Sequence, residues 1–358
     1  MNIAKIQKLY VDFYELGKKI LIAKGVKNFC KKNLKNPSVL TKEERKQAEA
    51  FWAHYAKFDP VFHSFYKEKT GVYHPAFLPK DIYLNCVDPY YNIREASWWL
   101  DHKCLYKRMF PGITQADSIL YRMGGFWYDA NWGSITLDEA LTIVSKEPAV
   151  VAKAATRSVC GNGVQFIENN QGNIIVAFTE ALKKQPGDIV VQRPIQQHAS
   201  FAALHPSSVN TLRILSLLTE EGPKIYSVIV RMGGSGERID NRIATGLFCG
   251  VKGNGDLAPV AYRLNGDKFT AHPTSGLVFE GHRLAGVEKA KELVKKAAPM
   301  LPLFRLVSWD IVIDDNGEPL MLECNLAKGS IHYHQLTNGP VFGEDTKKIL
   351  DEVFGKNK

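Results

Sequence analysis

Asp310, Glu323 and Asn325 form the constellation in this sequence best suited to chemistry. They sit in Leu306-Val-Ser-Trp-Asp-Ile-Val-Ile-Asp-Asp-Asn-Gly-Glu-Pro-Leu-Met-Leu-Glu-Cys-Asn-Leu326, two alternating runs joined by Asn316-Gly317. Asn-Gly is the preferred dipeptide of a two-residue type I′ turn, so the segment predicts a β-hairpin in which facing residues have numbers summing to 633. Asp310 then opposes Glu323. Period-two alternation puts Val307, Trp309, Ile311, Ile313, Leu320, Leu322, Cys324 and Leu326 on a core face. Ser308, Asp310, Val312, Met321, Glu323 and Asn325 take the other face. Opposed carboxylates, with Cβ atoms roughly 4.5–5.5 Å apart, weaken a sheet unless a cation lies between them. Oxygen donors without histidine or thiolate suit Mg²⁺ or Mn²⁺, and Mg²⁺ fills its remaining positions with water and phosphate oxygens. A phosphate-bearing substrate is therefore implied. The competing reading is a solvent-facing hairpin whose acids only solubilise it.

A second group lies upstream. Pro148-Ala-Val-Val-Ala-Lys153 places a lysine in an apolar strand, which is costly unless its ammonium meets an anion. Ser158-Val-Cys-Gly-Asn-Gly163 follows, a loop able to aim backbone N–H groups at phosphates, although two glycines also suit a plain strand connection. Other nucleotide and hydrolase signatures are missing: there is no G-x-x-x-x-G-K-[ST], complete G-x-G-x-x-G, H-E-x-x-H or G-x-S-x-G.

These residues need a scaffold, and the pattern supplies one. From about residue 101, short β-runs (149–154, 163–168, 188–194, 211–218, 224–231, 306–313 and 319–326) alternate with helical segments at 136–146 and 287–300. This is an α+β pattern without a regular βαβ series. Capping boxes at Thr41/Glu44 and Thr136/Glu139 open helices, the first running to about residue 57. We divide the chain into a helical region 1–99, a lobe 100–191 and a larger lobe 192–358.

Composition sets the outer limits. The 358 residues are 45% apolar and 23% charged, ordinary for a globular chain, and the six cysteines lack any C-x-x-C pair. A disulfide framework or zinc ribbon is not expected; nor is a signal peptide or spanning helix, so the expected location is the cytoplasm. The net charge of +9 is concentrated in residues 1–35, where nine lysines face only Asp12 and Glu15. The body is nearly neutral, which argues against a nucleic-acid partner. In this arm Ile3, Ile6, Tyr10, Phe13, Leu16 and Ile20 recur at helical spacing. The stripe either docks on the rest of the protein or attaches it to an anionic membrane on the inner face.

Lysine on a strand, glycine loop, lobe boundary and D-x12-E-x-N hairpin, in this order, resemble the ATP-grasp superfamily, most nearly its sugar-transfer-associated branch. The resemblance covers about residue 101 onward and implies two α+β lobes clasping ATP, preceded here by the helical extension. Asp101-His-Lys103 resembles the segment of the first nucleotide-contacting lysine, Lys153 matches the second, and Ser158, Gly161 and Gly163 belong to the loop over the β- and γ-phosphates. Val190-Val-Gln-Arg-Pro-Ile195 resembles the interlobe segment, implying adenine contacts at Gln192, Arg193 and Ile195. Asp310, Glu323 and Asn325 match the magnesium ligands. Arg213 and Arg231 match basic positions near the γ-phosphate or acceptor, and Asp240-Asn241 resembles an Asp-Asn segment on the acceptor side.

Two departures stand out. D-Ala-D-Ala-type ligases commonly carry arginine where this chain has Ser308, which leaves Arg213 as the candidate oxyanion donor. Asn-Pro-Gly after the metal asparagine is replaced by Asn325-Leu-Ala-Lys-Gly329. His198 is either a substrate contact or a polar core partner, and His332 and His334 are more simply a hydrogen-bonding pair than metal ligands. The expected activity is ATP-dependent, ADP-forming carboxylate–amine ligation through an acyl phosphate, on small-molecule carboxylate and amine substrates. These include sugar acids, aminosugars or amino acids for a surface polysaccharide, with a glycan or nucleotide-sugar as a possible partner. The alternative on the same scaffold is a small-molecule or glycan kinase.

Overall fold

The computed structural model describes residues 3–156, 163–169, 174–234, 245–327 and 329–355, without the side chains of residues 3–12. Ser158, Gly161, Asp240 and Asn241 lie outside the described residues. Two antiparallel sheets carry the architecture. The smaller contains β1 (Ser118–Met123), β2 (Phe126–Asp129), β3 (Ser134–Ile135), β4 (Ala149–Ala154), β5 (Val164–Glu168) and β6 (Ile189–Gln192), in the order β3-β2-β1-β6-β4-β5. The larger contains β7 (Thr211–Thr219), β8 (Gly222–Met232), β9 (Leu247–Val251), β10 (Leu257–Tyr262), β11 (Lys268–Phe269), β12 (Leu306–Ile313) and β13 (Pro319–Asn325), in the order β11-β10-β9-β8-β7-β12-β13.

Helices Leu137–Ser145 and Ile174–Lys184 pack on the smaller sheet through Ala140, Val144, Phe178 and Ala181, against Leu120, Trp127, Val150 and Val191. The first opens with the expected capping box, Thr136 Oγ1 accepting from Glu139 N while Glu139 accepts from Thr136 N. The Thr41/Glu44 box is also present, but its helix ends at Trp52, well short of residue 57. The larger sheet is covered on one face by helix Val287–Ala297, whose Ala290, Leu293 and Val294 meet Leu212, Ile214, Val230, Trp309 and Ile311. Tyr106, Phe110 and Ile113 enter this same core, so the chain between the helical region and β1 straps across to the larger sheet.

On its other face the larger sheet carries Arg213, Ile229, Arg231, Phe248 and Tyr262, by strand alternation and register. Part of that face is sealed by the helical region: Phe65, Tyr66 and Phe77 pack on Ile229, Phe248 and Tyr262, while Trp52, Tyr83 and Val87 pack on Leu215 and Leu217. Hydrogen bonds tie this region in. Asn92 bridges the Leu306 backbone through both amide atoms (2.8 and 3.0 Å), and Gln335 does the same for Leu78 (2.8 and 2.9 Å). The helical region therefore walls one side of the remaining open end of the sheet, where the candidate residues gather.

Candidate functional site

The β12–β13 hairpin pairs Ser308 with Asn325, Trp309 with Cys324 and Asp310 with Glu323, as the sequence predicts, but by a different route. The loop has three residues: Asp314 N donates to Glu318 O (2.9 Å), Gly317 N donates to Asp314 O (3.0 Å), and Gly317 sits at φ +80°. Asp314 fixes this turn, because its Oδ1 accepts from both Asn316 N (3.0 Å) and Glu318 N (2.8 Å). A longer loop shifts the register by one, so Ile311 pairs with Met321; a bulge between Asp310 and Ile311 then restores the expected pairing. The shifted register corrects three face assignments. Met321 is buried in the core, while Leu320, which pairs with Val312, and Leu322, both expected there, are only partly buried, and Leu322 lines the cleft beside Glu323.

Asp310 also lies in register with Arg213 on β7, which grips it bidentately: Nε to Oδ1 at 2.8 Å and Nη2 to Oδ2 at 2.7 Å. Arg231 Nη1 adds a bond to Oδ2 at 3.0 Å. All three side chains are buried. Burial opposes charge on Asp310, yet the two guanidiniums outweigh it and hold the carboxyl below the usual carboxylate range. Glu323 goes the other way: burial raises it and Asp310 adds to the rise, while Lys103, whose Nζ stands 3.1 Å from Oε1, opposes them. The opposition foreseen from sequence is thus real, and it falls mainly on Glu323.

Among the described residues no group of three His, Cys, Asp or Glu could hold a metal ion. The donors on this face are instead two carboxylates and the Asn325 amide, whose Nδ2 donates to Ser308 O (3.1 Å). Arg213 and Arg231 engage Asp310 Oδ2 twice and Oδ1 once, and the Asn325 side chain hydrogen-bonds the same carboxylate, which ties two of the three candidate donors together. An all-oxygen donor set of two carboxylates and an amide, without histidine or thiolate, is of the kind that fits Mg²⁺ or Mn²⁺ drawing its other ligands from water and phosphate.

The other wall of the cleft comes from the smaller sheet. Lys103, Lys153, Gln192, Arg193, Ile195, Arg231, Asp310 and Glu323 share one cleft between the sheets. Lys103 is held there by its backbone N–H on Ala155 O (2.9 Å), just beyond β4, the strand that carries Lys153. Gly163 closes the far end of the loop: its carbonyl accepts from Ala154 N (2.8 Å), its φ is +84°, and a Cβ there would lie 2.9 Å from Ala154 Cβ. Gln192 Nε2 donates to Ser118 Oγ (3.0 Å) at the cleft edge.

Three expectations change. Arg193 turns its guanidinium outward onto Glu147 (2.9 and 2.6 Å) and Asp117, so its side chain is committed to an exposed ion-pair network rather than to adenine. His198 lies outside the cleft and caps the short helix Ala199–Ala202, its Nδ1 accepting from Ser200 N (3.1 Å). His332 and His334 do not pair with each other: His332 bonds Tyr66 OH (3.1 Å) and Leu264 O (3.1 Å), and His334 bonds Ser227 Oγ (2.8 Å). Burial drives both imidazoles to about 3 and keeps them neutral. Tyr106, Tyr121, Thr211, Met321 and Leu322 line the cleft and were missed. For Tyr106 a signal existed, since its hydroxyl donates to Asp101 (3.1 Å) within the segment already singled out.

The model of the family described as sugar-transfer associated ATP-grasp matches residues 88–351. The chain belongs to this family. Its fold is accordingly the ATP-grasp fold, α+β with two antiparallel sheets. No curated protein matches the chain. Among solved structures, the ADP complex of an N5-carboxyaminoimidazole ribonucleotide synthetase shares 12% identity over 63% of this chain and 45% of its own, with a TM-score of 0.38. D-alanyl-alanine synthetase A from Vibrio cholerae O1 biovar eltor shares 13% over 75% and 65%, at 0.41. The biotin carboxylase domain of 2-oxoglutarate carboxylase from Hydrogenobacter thermophilus, with MgADP, ADP and bicarbonate, shares 14% over 71% and 44%, at 0.40. The chain spans less than half the length of the first and third of these. Likeness this distant carries no statement about activity.

Proposed function

We propose that this ATP-grasp protein is an ADP-forming carboxylate–amine ligase that works through an acyl phosphate. The observation that carries the reading is the meeting of opposite charges in one cleft. Lys103 and Lys153 come from the smaller-sheet side, while the opposed Asp310 and Glu323 come from the larger sheet, with Arg213 and Arg231 locked behind Asp310. Mg²⁺ or Mn²⁺, held by Asp310, Glu323 and Asn325, would supply charge neutralisation at the terminal phosphates of ATP. The chain's own groups do the rest. Gln192, Ile195, Met321 and Leu322 shape the end of the cleft suited to the base, and the lysines bind phosphate oxygens. Arg231, which lines the cleft, is the fixed cation suited to the charge that develops as an amine attacks the mixed anhydride. Arg213, bidentate on Asp310 and outside the cleft lining, holds that carboxylate in place.

The family's description supports a substrate tied to sugar transfer, so the carboxylate or amine belongs to a sugar acid, aminosugar or amino acid destined for a surface polysaccharide. ATP supply favours the cytoplasm, and five described cysteines are free thiols. The test supplies hydroxylamine in place of the amine and screens sugar acids and amino acids with ATP. A hydroxamate formed in step with ADP and free phosphate is the expected result. A stable phosphorylated product without hydroxamate would make the protein a kinase on the same scaffold.

A further inference from the structure

The amino-terminal helix Ile3–Asn33 carries two different apolar faces. Val26, Phe29 and Cys30 dock on the helical region, joining Phe62, Phe65 and Tyr66, and Asn85 Nδ2 bonds Lys19 O (3.1 Å). The described part of the stripe foreseen from the sequence, Phe13, Leu16 and Ile20, is not what docks, and the side chains of Ile3, Ile6 and Tyr10 lie outside the described residues. Phe13, Leu16 and Ile20 are 78%, 54% and 58% exposed, and Leu21 beside them is 71% exposed. At 3.6 residues per turn, Phe13, Leu16 and Ile20 fall within an arc of about 60°, centred about 120° around the helix from Val26, Phe29 and Cys30. The outward line continues: Lys31 falls at the edge of this arc and Lys24 about 20° beyond it, both exposed, while Lys27 between them pairs with Asp59.

One continuous helix thus presents an apolar stripe followed by a basic one, both exposed. Their chemistry matches a surface that offers acyl chains beneath a layer of negative charge. We infer that the outward face of this helix, through Phe13, Leu16, Ile20, Lys24 and Lys31, holds the protein on an anionic phospholipid bilayer. The apolar side chains enter the boundary between headgroups and acyl chains, and the lysines meet lipid phosphates. No helix among the described residues is long and apolar enough to cross a membrane, so the contact is peripheral.

Co-sedimentation of the full chain with vesicles tests this without any substrate, and so independently of the proposed reaction. Phosphatidylcholine vesicles containing phosphatidylglycerol should bind it, and phosphatidylcholine alone should not. Phe13→Ser/Leu16→Ser/Ile20→Ser should reduce binding at least tenfold. Lys24→Gln/Lys31→Gln should reduce it by about thirtyfold, at roughly one kcal/mol per basic residue near the surface. Both variants change only outward side chains, and an unchanged melting temperature verifies the fold. Undiminished vesicle binding by the triple variant, or no binding by the wild type, would overturn the inference. So would concentration-dependent self-association abolished by the triple variant, which would assign the face to a second copy.

Discussion

Asp310 has two duties that pull a mutational test in opposite directions. As a candidate metal ligand it should be dispensable for folding, and from sequence alone its replacement even relieves repulsion with Glu323. The structure reverses that sign, because Asp310 is the counter-charge of two buried guanidiniums. Asp310→Asn should lower stability by about 3–5 kcal/mol, the cost of leaving a buried charge unpaired; an unshifted urea midpoint would refute it. Glu323→Gln is the cleaner probe, since its carboxyl is pushed up in the fold and its removal relieves unfavourable charge. That variant should keep wild-type stability and lose ATP turnover by at least a hundredfold, measured as ADP release. Lys153→Ala should weaken ATP binding by about tenfold or more in a calorimetric titration, the worth of a charge-assisted hydrogen bond.

The hairpin shows how far sequence patterning reaches. Alternation and the Asn-Gly signal located both strands and the Asp310–Glu323 opposition, but they could not see that Asp314 would recruit two backbone N–H groups and lengthen the loop. Nor could they see the bulge that compensates for it. Side chain-to-backbone competition of this kind depends on geometry that residue types do not encode. The same limit hid β1, whose partner β6 lies some seventy residues downstream, and it hid the commitment of Arg193 to Glu147 and Asp117. Strands with continuous apolar runs and helices with capping boxes were legible because their signals are local. Gly317→Ala tests the loop. No atom lies within 4 Å of the added Cβ, so the expected loss of about 1 kcal/mol in urea denaturation is purely the cost of left-handed backbone. An unchanged midpoint would contradict the three-residue turn.

Across the whole molecule, three buried histidines sit at packing seams: His63 inside the helical region, and His332 and His334, through which helix Ile331–Asn338 bonds Tyr66 of the helical region and Ser227 of the larger sheet. Burial lowers His63 to about 4 and His332 and His334 to about 3, against an ordinary 6.5. The unfolded chain therefore takes up these protons first as pH falls, so stability is full above about 6.5 and declines toward 4, by up to about 2 kcal/mol per histidine at pH 5. Urea midpoints at neutral pH and at pH 5 should differ accordingly, and equal midpoints would show that the histidines are not buried as described. The assembly as a whole brings cations from one sheet and carboxylates from the other to a single cleft, and the central claim is that this cleft cleaves ATP at its terminal phosphate. Phosphorus NMR of the turnover reaction, with Mg²⁺ and a responsive carboxylate, reads that bond directly. ADP and free phosphate should appear in equal amounts when hydroxylamine is present, and not with Glu323→Gln. AMP and pyrophosphate, or wild-type turnover by the variant, would contradict the account.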